Sequence, residues 1–219
     1  MRRIPAFTLV ELLVTIAIAG LLAALFLPAL GRSRERIHAA VCLGNLRQWG
    51  TATHLYAADH EDYLPPEGVP NPGLASTNTG WYVQLPRQFG LPPYHESRWH
   101  TNPAANPGRV LWICPANPRR SNGLNLFHYC LNEHVNGTGD AQRAVKLSSV
   151  ANPALVVWLF DTKNLPAVGY WAYVHTNLHR HGAQFAFLDA HARRFPNTEY
   201  WDFAVNRGRP WTPNLQWIP

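Results

Sequence analysis

FTLVELLVTIAIAGLLAALFLPAL, residues 7–30, decides how the rest of the chain is read. Its only polar residues are Thr8, Glu11 and Thr15. As an α-helix it is roughly 36 Å long, enough to cross a hydrocarbon core of about 30 Å. Arg2 and Arg3 precede it and favour a cytoplasmic N-terminus. Arg32, Arg34 and Arg36 follow it, so charge bias alone does not decide the orientation. Pro28 lacks an N–H and is expected to kink or loosen the helix locally. A cleaved secretory signal fits the small residues Ala17-Ile18-Ala19 before Gly20. A plain membrane anchor fits the length. Neither explains Glu11, because a carboxylate within lipid is expensive and marks a functional position with a partner.

With its flanks, AFTLVELLVTIAIAGLLAALFLPAL resembles the N-terminus of type IV prepilins and type II secretion pseudopilins. The likeness rests on a short basic leader, F-T-L-V-E, and a long apolar run with Pro28 near its end. It implies cleavage by a prepilin peptidase between Ala6 and Phe7 and N-methylation of Phe7. It also implies that Glu11 pairs with the N-terminal amine of a neighbouring subunit as a filament assembles. Such a buried ion pair sets register more than stability. The expected partners are other pilin-like subunits, the peptidase, an inner-membrane assembly platform and membrane lipid. The implied location is the inner membrane, single-pass, with the N-terminus cytoplasmic and the globular domain periplasmic, and a filament after assembly. One departure stands out: Ala6 occupies the position where the family nearly always has Gly, and its Cβ loads a tight peptidase pocket.

Helical spacing continues beyond Gly31. Apolar or small residues recur at Ile37, Val41, Gly44, Ala52 and Leu55 or Tyr56, with Gln48 the weak slot beside Trp49. One helix is expected from Phe7 to about Ala58, with Pro65-Pro66 ending any continuation. Residues 64–108 are rich in Pro, Gly, Asn and Thr and read as loop, with one short element near Trp81–Leu85. Strand-like runs follow at Arg109–Cys114, Leu126–Leu131, Leu155–Asp161, Tyr170–His175, Gln184–Asp189 and His191–Phe195. The expected fold class is α+β and pilin-like: a long N-terminal helix across a small antiparallel sheet, with long Pro/Gly-rich loops. The expected organisation is a leader at 1–6, a membrane and assembly half-helix at 7–30, an amphipathic half-helix at 31–63 and a globular domain at 64–219.

HRHGAQFAFLDAHARRF, residues 179–195, is similar to the H-x9-D-G segment of a planctomycete-type prepilin-like family. CLGNLRQWGTATHLYAADHEDYLPP, from Cys42, resembles the stretch after that family's anchor helix, and WICPA, from Trp112, its Cys-Pro segment. Here Ala190 replaces the Gly after Asp189. Asp-Gly between alternating strands reads as a two-residue turn needing positive φ, so Ala190 is strained and the turn is expected to widen. Phe185 and Phe187 share one face, expected to lie on the long helix. His179 is expected to bond a backbone group or Asp189 and brace the turn.

Charged residues are only 15% of the chain against 47% apolar, which is globular composition and excludes disorder. The net charge of +6 admits an anionic partner. A filament-displayed module gripping DNA or glycan through a Trp-rich basic surface is therefore the rival function, with Arg119-Arg120 and Arg193-Arg194 its only basic pairs; nucleic acid ranks behind the pilin-like partners. There are 3 cysteines and no CxxC pair, which argues against a zinc ribbon. One disulfide and one free thiol are expected, with Cys114–Cys130 preferred and Cys42–Cys114 competing. His179, His181, Asp189 and His191 have metal-ligand chemistry if the two His-x-His and Asp-x-His pairs share a face, but structural roles are preferred. The sequence lacks G-x-S-x-G, H-E-x-x-H, P-loop and Rossmann fingerprints, so neither an enzyme nor a cofactor is expected.

Overall fold

A computed structural model describes residues 8–69, 72, 79–97, 111–119, 126–136, 143–163 and 166–219, apart from the side chains at 28 and 29. The chain divides into two compact units, residues 1–38 and 39–219. A single helix, α1 (Leu9–Asp59), supplies nearly all of the first and enters the second. It runs unbroken through position 28. It ends before Pro65-Pro66, at a turn where Glu61 and Asp62 take positive φ (52° and 72°) and the Asp62 N–H bonds the Ala57 carbonyl. That six-to-one bond is the Schellman way of satisfying the last carbonyls.

Within residues 39–219, the buried stripe of α1 is Cys42, Asn45, Leu46, Trp49, Ala52, Thr53 and Tyr56. The expected stripe is corrected by one position: Val41, Gln48 and Leu55 are exposed, while Ala52 and Tyr56 are kept. The reason is Trp49. A fully buried indole covers far more apolar area than Gln48, and it sets the rotation of the helix.

Five strands form the sheet: β1 (Tyr129–Asn132), β2 (Val157–Asp161), β3 (Val168–Gly169), β4 (Gly182–Phe187) and β5 (Ala192–Pro196). Their order is β3-β1-β2-β4-β5, antiparallel except for the parallel β1–β3 pair. The α+β class with a long helix against a small, mostly antiparallel sheet is observed. Alternation, interrupted in β2 by a register shift between Val157 and Leu159 that puts Trp158 and Leu159 in the same core, gives the sheet two apolar faces. On one, Tyr129, Leu131, Trp158, Leu159 and Ala186 join Cys42, Leu46, Trp49 and Ala52 of α1 in one core. On the other, Cys130, Val157, Phe160, Phe185 and Phe187 pack with Phe195, Tyr200, Trp201 and Trp217.

Phe185 and Phe187 do share a face, but it is the one turned away from α1. The α1 side of β4 carries Gln184 and Ala186, and Gln184 Nε2 donates to the Ala39 carbonyl at 2.8 Å. Small and amide side chains let the helix close on the strand; two phenyl rings would hold it off. The rings are covered by a segment that the sequence left unassigned. It comprises a short turn of helix at Asn197–Tyr200 and two ribbons, β6 (Trp201–Asp202) with β7 (Arg207–Gly208) and β8 (Trp211–Thr212) with β9 (Leu215–Gln216). The earlier helix α2 (Trp81–Arg87) confirms the short element near Trp81.

Two expected strands are corrected. Residues 109–110 lie outside the described residues, and 111–114 form a turn at 111–112 followed by irregular backbone, not a strand. Their backbone groups are met by side chains: Trp49 Nε1 donates to Leu111 O, Asn45 Nδ2 to Ile113 O, and Cys114 N–H to His128 Nδ1. No ladder is needed. In Tyr170–His175, residues 171–173 form a 3-10 turn and the strand lies upstream at β3.

Candidate functional site

In the first unit, the N-terminal side of α1 opens with Thr8. The Thr8 N–H and Oγ1 each donate to Glu11 Oε2 at 2.8 Å, and the Glu11 N–H donates to Thr8 Oγ1 at 3.2 Å. This is a capping box: a Thr and a Glu three residues on satisfy each other's free groups at a helix start. The T-x-x-E pattern before an apolar run was the available signal for Thr8. Glu11 thus holds hydrogen bonds within its own chain, and one carboxylate oxygen takes both. Leu9 through Leu27 expose their apolar side chains, and among the described residues α1 is the one helix long and apolar enough to cross a membrane. Ala6 and Phe7, the expected cleavage and methylation positions, lie outside the described residues.

In the second unit, the turn from β4 to β5 has three residues, wider than the two of an Asp-Gly turn. The Ala190 N–H donates to Phe187 O at 3.0 Å and the Phe187 N–H to His191 O at 2.9 Å. This is a type I turn followed by a left-handed residue, the position that favours Gly. Ala190 fills it at φ 69°. Asp189 Oδ1 accepts from the His191 N–H and from its Nδ1, the latter at 2.6 Å, and the His191 ring stacks on Phe187. The turn rests on α1: His54 Nε2 donates to Leu188 O at 2.8 Å.

His179 is not at this turn. It sits at the opposite end of β4, buried, with Nε2 3.2 Å from Asp161 Oδ2 and 3.4 Å from Cys114 Sγ. The expected His179–Asp189 brace is corrected: each residue has a different partner, His191 for Asp189 and Asp161 for His179. Asp161 Oδ2 also accepts the Gln184 N–H at 2.8 Å. Arg194 Nε donates to His179 O. Sequence alone gave no pointer to Asp161, which contacts His179 only through the β2–β4 pairing.

The disulfide is also corrected. Cys42 is bonded to Cys114, and Cys130 is a buried free thiol. Cys130 lies between Tyr129 and Leu131 on β1, so it faces the opposite core from Cys114. Burial pushes its thiol well above the usual range.

The four histidine and aspartate candidates for metal do not converge. His181 is exposed at φ 57°, before β4 begins, so it shares no strand face with His179. Asp189 and His191 pair alone. Among the described residues, the one group of three ligand-type side chains is Cys42, Cys114 and His179.

Among the described residues, the rival DNA or glycan surface finds no stacking platform; Trp99 lies outside them. Trp49, Trp81, Trp112, Trp158, Trp201 and Trp217 are buried. Trp211 is exposed and Trp171 half-buried. Arg120 lies outside the described residues, while Arg119 donates to Lys163 O and Arg194 to His179 O and Arg180 O.

Residues 1–27 match the family model for the prokaryotic N-terminal methylation motif. That motif is typical of type IV pilins and pseudopilins, which are non-catalytic structural proteins. No curated protein matches the chain. No solved structure matches it.

Proposed function

We propose that the chain is a pilin-like or pseudopilin-like subunit of a type II secretion or type IV pilus-like filament. The observation that carries this reading is Glu11, held at the start of an apolar α1 inside the matched methylation motif. A prepilin peptidase removes residues 1–6 and methylates Phe7. Residues 7–30 lie in the inner membrane with the N-terminus cytoplasmic, and residues 31–63 and the globular part from 64 are periplasmic. On assembly the Glu11 carboxylate exchanges Thr8 for the Phe7 amine of a neighbouring subunit. The exchange replaces neutral donors by a charged one, which is the stronger hydrogen bond. Pro28 loosens α1 where subunits pack. The H-x9-D segment supports reading the globular part as planctomycete-type and prepilin-like, with structural roles for His179, Asp189 and Ala190.

Mass spectrometry of the native N-terminus tests this. N-methylated Phe7 is the expected species. A mature N-terminus at Gly20 makes the chain an ordinary exported protein, and an intact Met1 makes it a plain anchor.

A further inference from the structure

The most concentrated chemistry outside the N-terminal segment is the buried junction of α1, the 111–114 segment and β2–β4. Cys42 Sγ, Cys114 Sγ and a His179 ring nitrogen lie within 4.8 Å of one another, all buried. Asp161 is fully buried beside them, and its Oδ1 has no hydrogen-bond donor among the described residues. An orphaned carboxylate oxygen in a core costs free energy unless a cation or donor meets it.

We propose that the Cys42–Cys114 bridge is the oxidised form of a buried divalent-metal site, in which the reduced chain binds zinc through Cys42, Cys114, His179 and Asp161. The spacing supports a tetrahedron. With zinc–ligand bonds of about 2.0–2.3 Å, a nitrogen–sulfur edge is about 3.5 Å and a nitrogen–oxygen edge about 3.4 Å. His179 Nε2 already stands 3.4 Å from Cys114 Sγ and 3.2 Å from Asp161 Oδ2. What must change is the sulfur pair, which separates to an edge of about 3.8 Å once it is no longer bonded. A dithiol or phosphine supplies the two electrons that break the S–S bond and leave two thiols. Zinc binding then displaces their two protons to solvent, and the neutral His179 ring carries its proton on Nδ1, which leaves Nε2 free to ligate. Closing the bridge again takes a disulfide donor, which accepts the two electrons as the metal departs. Two thiolates, an imidazole and a carboxylate suit zinc or cobalt and not calcium or magnesium.

The test uses the full chain in detergent micelles, unfolded and refolded with tris(2-carboxyethyl)phosphine and cobalt(II) chloride, so that access to the buried site is not limiting. The expected result is one cobalt per reduced chain, with visible tetrahedral d–d bands and a near-UV thiolate-to-cobalt band, both absent from the oxidised chain. Cys130→Ala leaves the bands unchanged. His179→Ala weakens cobalt binding at least tenfold. His179→Cys keeps a ligand but trades nitrogen for sulfur, and raises the thiolate band by about half. Absence of bands in the reduced chain overturns the proposal. So do bands unchanged in both His179 variants, bands lost with Cys130, or a reduced chain that fails to recover its far-UV circular dichroism with cobalt present.

Discussion

Gly50 on α1 and Ala190 in the β4–β5 turn touch backbone to backbone: a Cβ at Gly50 would stand 2.9 Å from Ala190 Cα and 3.1 Å from its Cβ. The turn is seated on the helix with no room for a methyl group. Gly50→Ala is expected to destabilise the chain by about 1–3 kcal/mol, since the backbone of a tight turn gives way poorly. Ala190→Gly is expected to stabilise it by about 1 kcal/mol, because Ala190 is held at φ 69°. Urea titrations of both variants and of the double variant check this. In the double variant, the Gly50→Ala cost should shrink, since one of the two clashing carbons is gone.

Glu11→Leu is expected to insert normally and to enter filaments poorly. The acid makes insertion harder, so its loss helps that step, yet the neighbour's amine is then left without an anion at the filament core. Thr8→Val removes the hydroxyl donor to Glu11 but leaves the carboxylate in place. It should keep assembly above that of Glu11→Leu. Membrane fractionation followed by filament shearing separates insertion from assembly; equal incorporation of Glu11→Leu and the parent chain removes the role assigned to this acid.

His179→Ala is expected to cost about 3 kcal/mol, because it takes a partner from a carboxylate buried beyond the reach of water. The double variant His179→Ala/Asp161→Asn should cost less than the two single changes summed, since both act on one contact. A double-mutant cycle by chemical denaturation measures the difference. A cost for His179→Ala of only a few tenths would show that Asp161 is satisfied without it.

Opening the Cys42–Cys114 bridge without metal should lower stability by about 4 kcal/mol, the chain-entropy estimate for residues separated by 72 positions. Cys130 contributes nothing to that number. Its thiol is buried and held protonated, so iodoacetamide should label it only after unfolding. Rapid labelling of the folded chain would place Cys130 on a surface.

Stability should fall as pH drops through about 6.5. Burial holds the His175 imidazole below its ordinary value, opposed by the nearby Asp161 carboxylate and reinforced by His179 and Lys163. Burial lowers His134 in the same way, where its ring stacks on Trp171. The fold therefore favours neutral rings, while the unfolded chain binds protons from about 6.5 downward. The contribution is complete above that pH, declines as pH falls to the folded values, and then levels. Glu133, held high by burial, acts in the opposite direction at lower pH. Melting temperatures between pH 7.5 and 5.5 give the slope, and His134→Phe should flatten it.

The long helix, the short Trp81 helix and the β2, β4 and β5 strands were legible because each carries its own periodicity. Orientation was not. Alternation at Phe185 and Phe187 says that both rings share a face without saying which face, and both faces of this sheet are apolar. The rotation of α1 failed by one residue for a related reason: Val41 and Leu55 fit the stripe as well as Leu46 does, and the decision came from Trp49 and Cys42, whose partners are far along the chain. At the site, Glu11 announced itself as an acid in an apolar run. His179 could be singled out but not paired, because Asp161 meets it only once β2 and β4 are aligned.

The far face of the sheet is closed by residues 197–217, which follow all five strands in the chain. Asn132 on β1 waits for the last of them, since its Nδ2 donates to Trp217 O as well as to Val157 O. During synthesis, then, every strand emerges before its outer cover does. Phe160, Phe185 and Phe187 stay open to water or to a chaperone until residue 217 clears the exit, so the order of translation makes this second core close only after all five strands of the sheet have emerged.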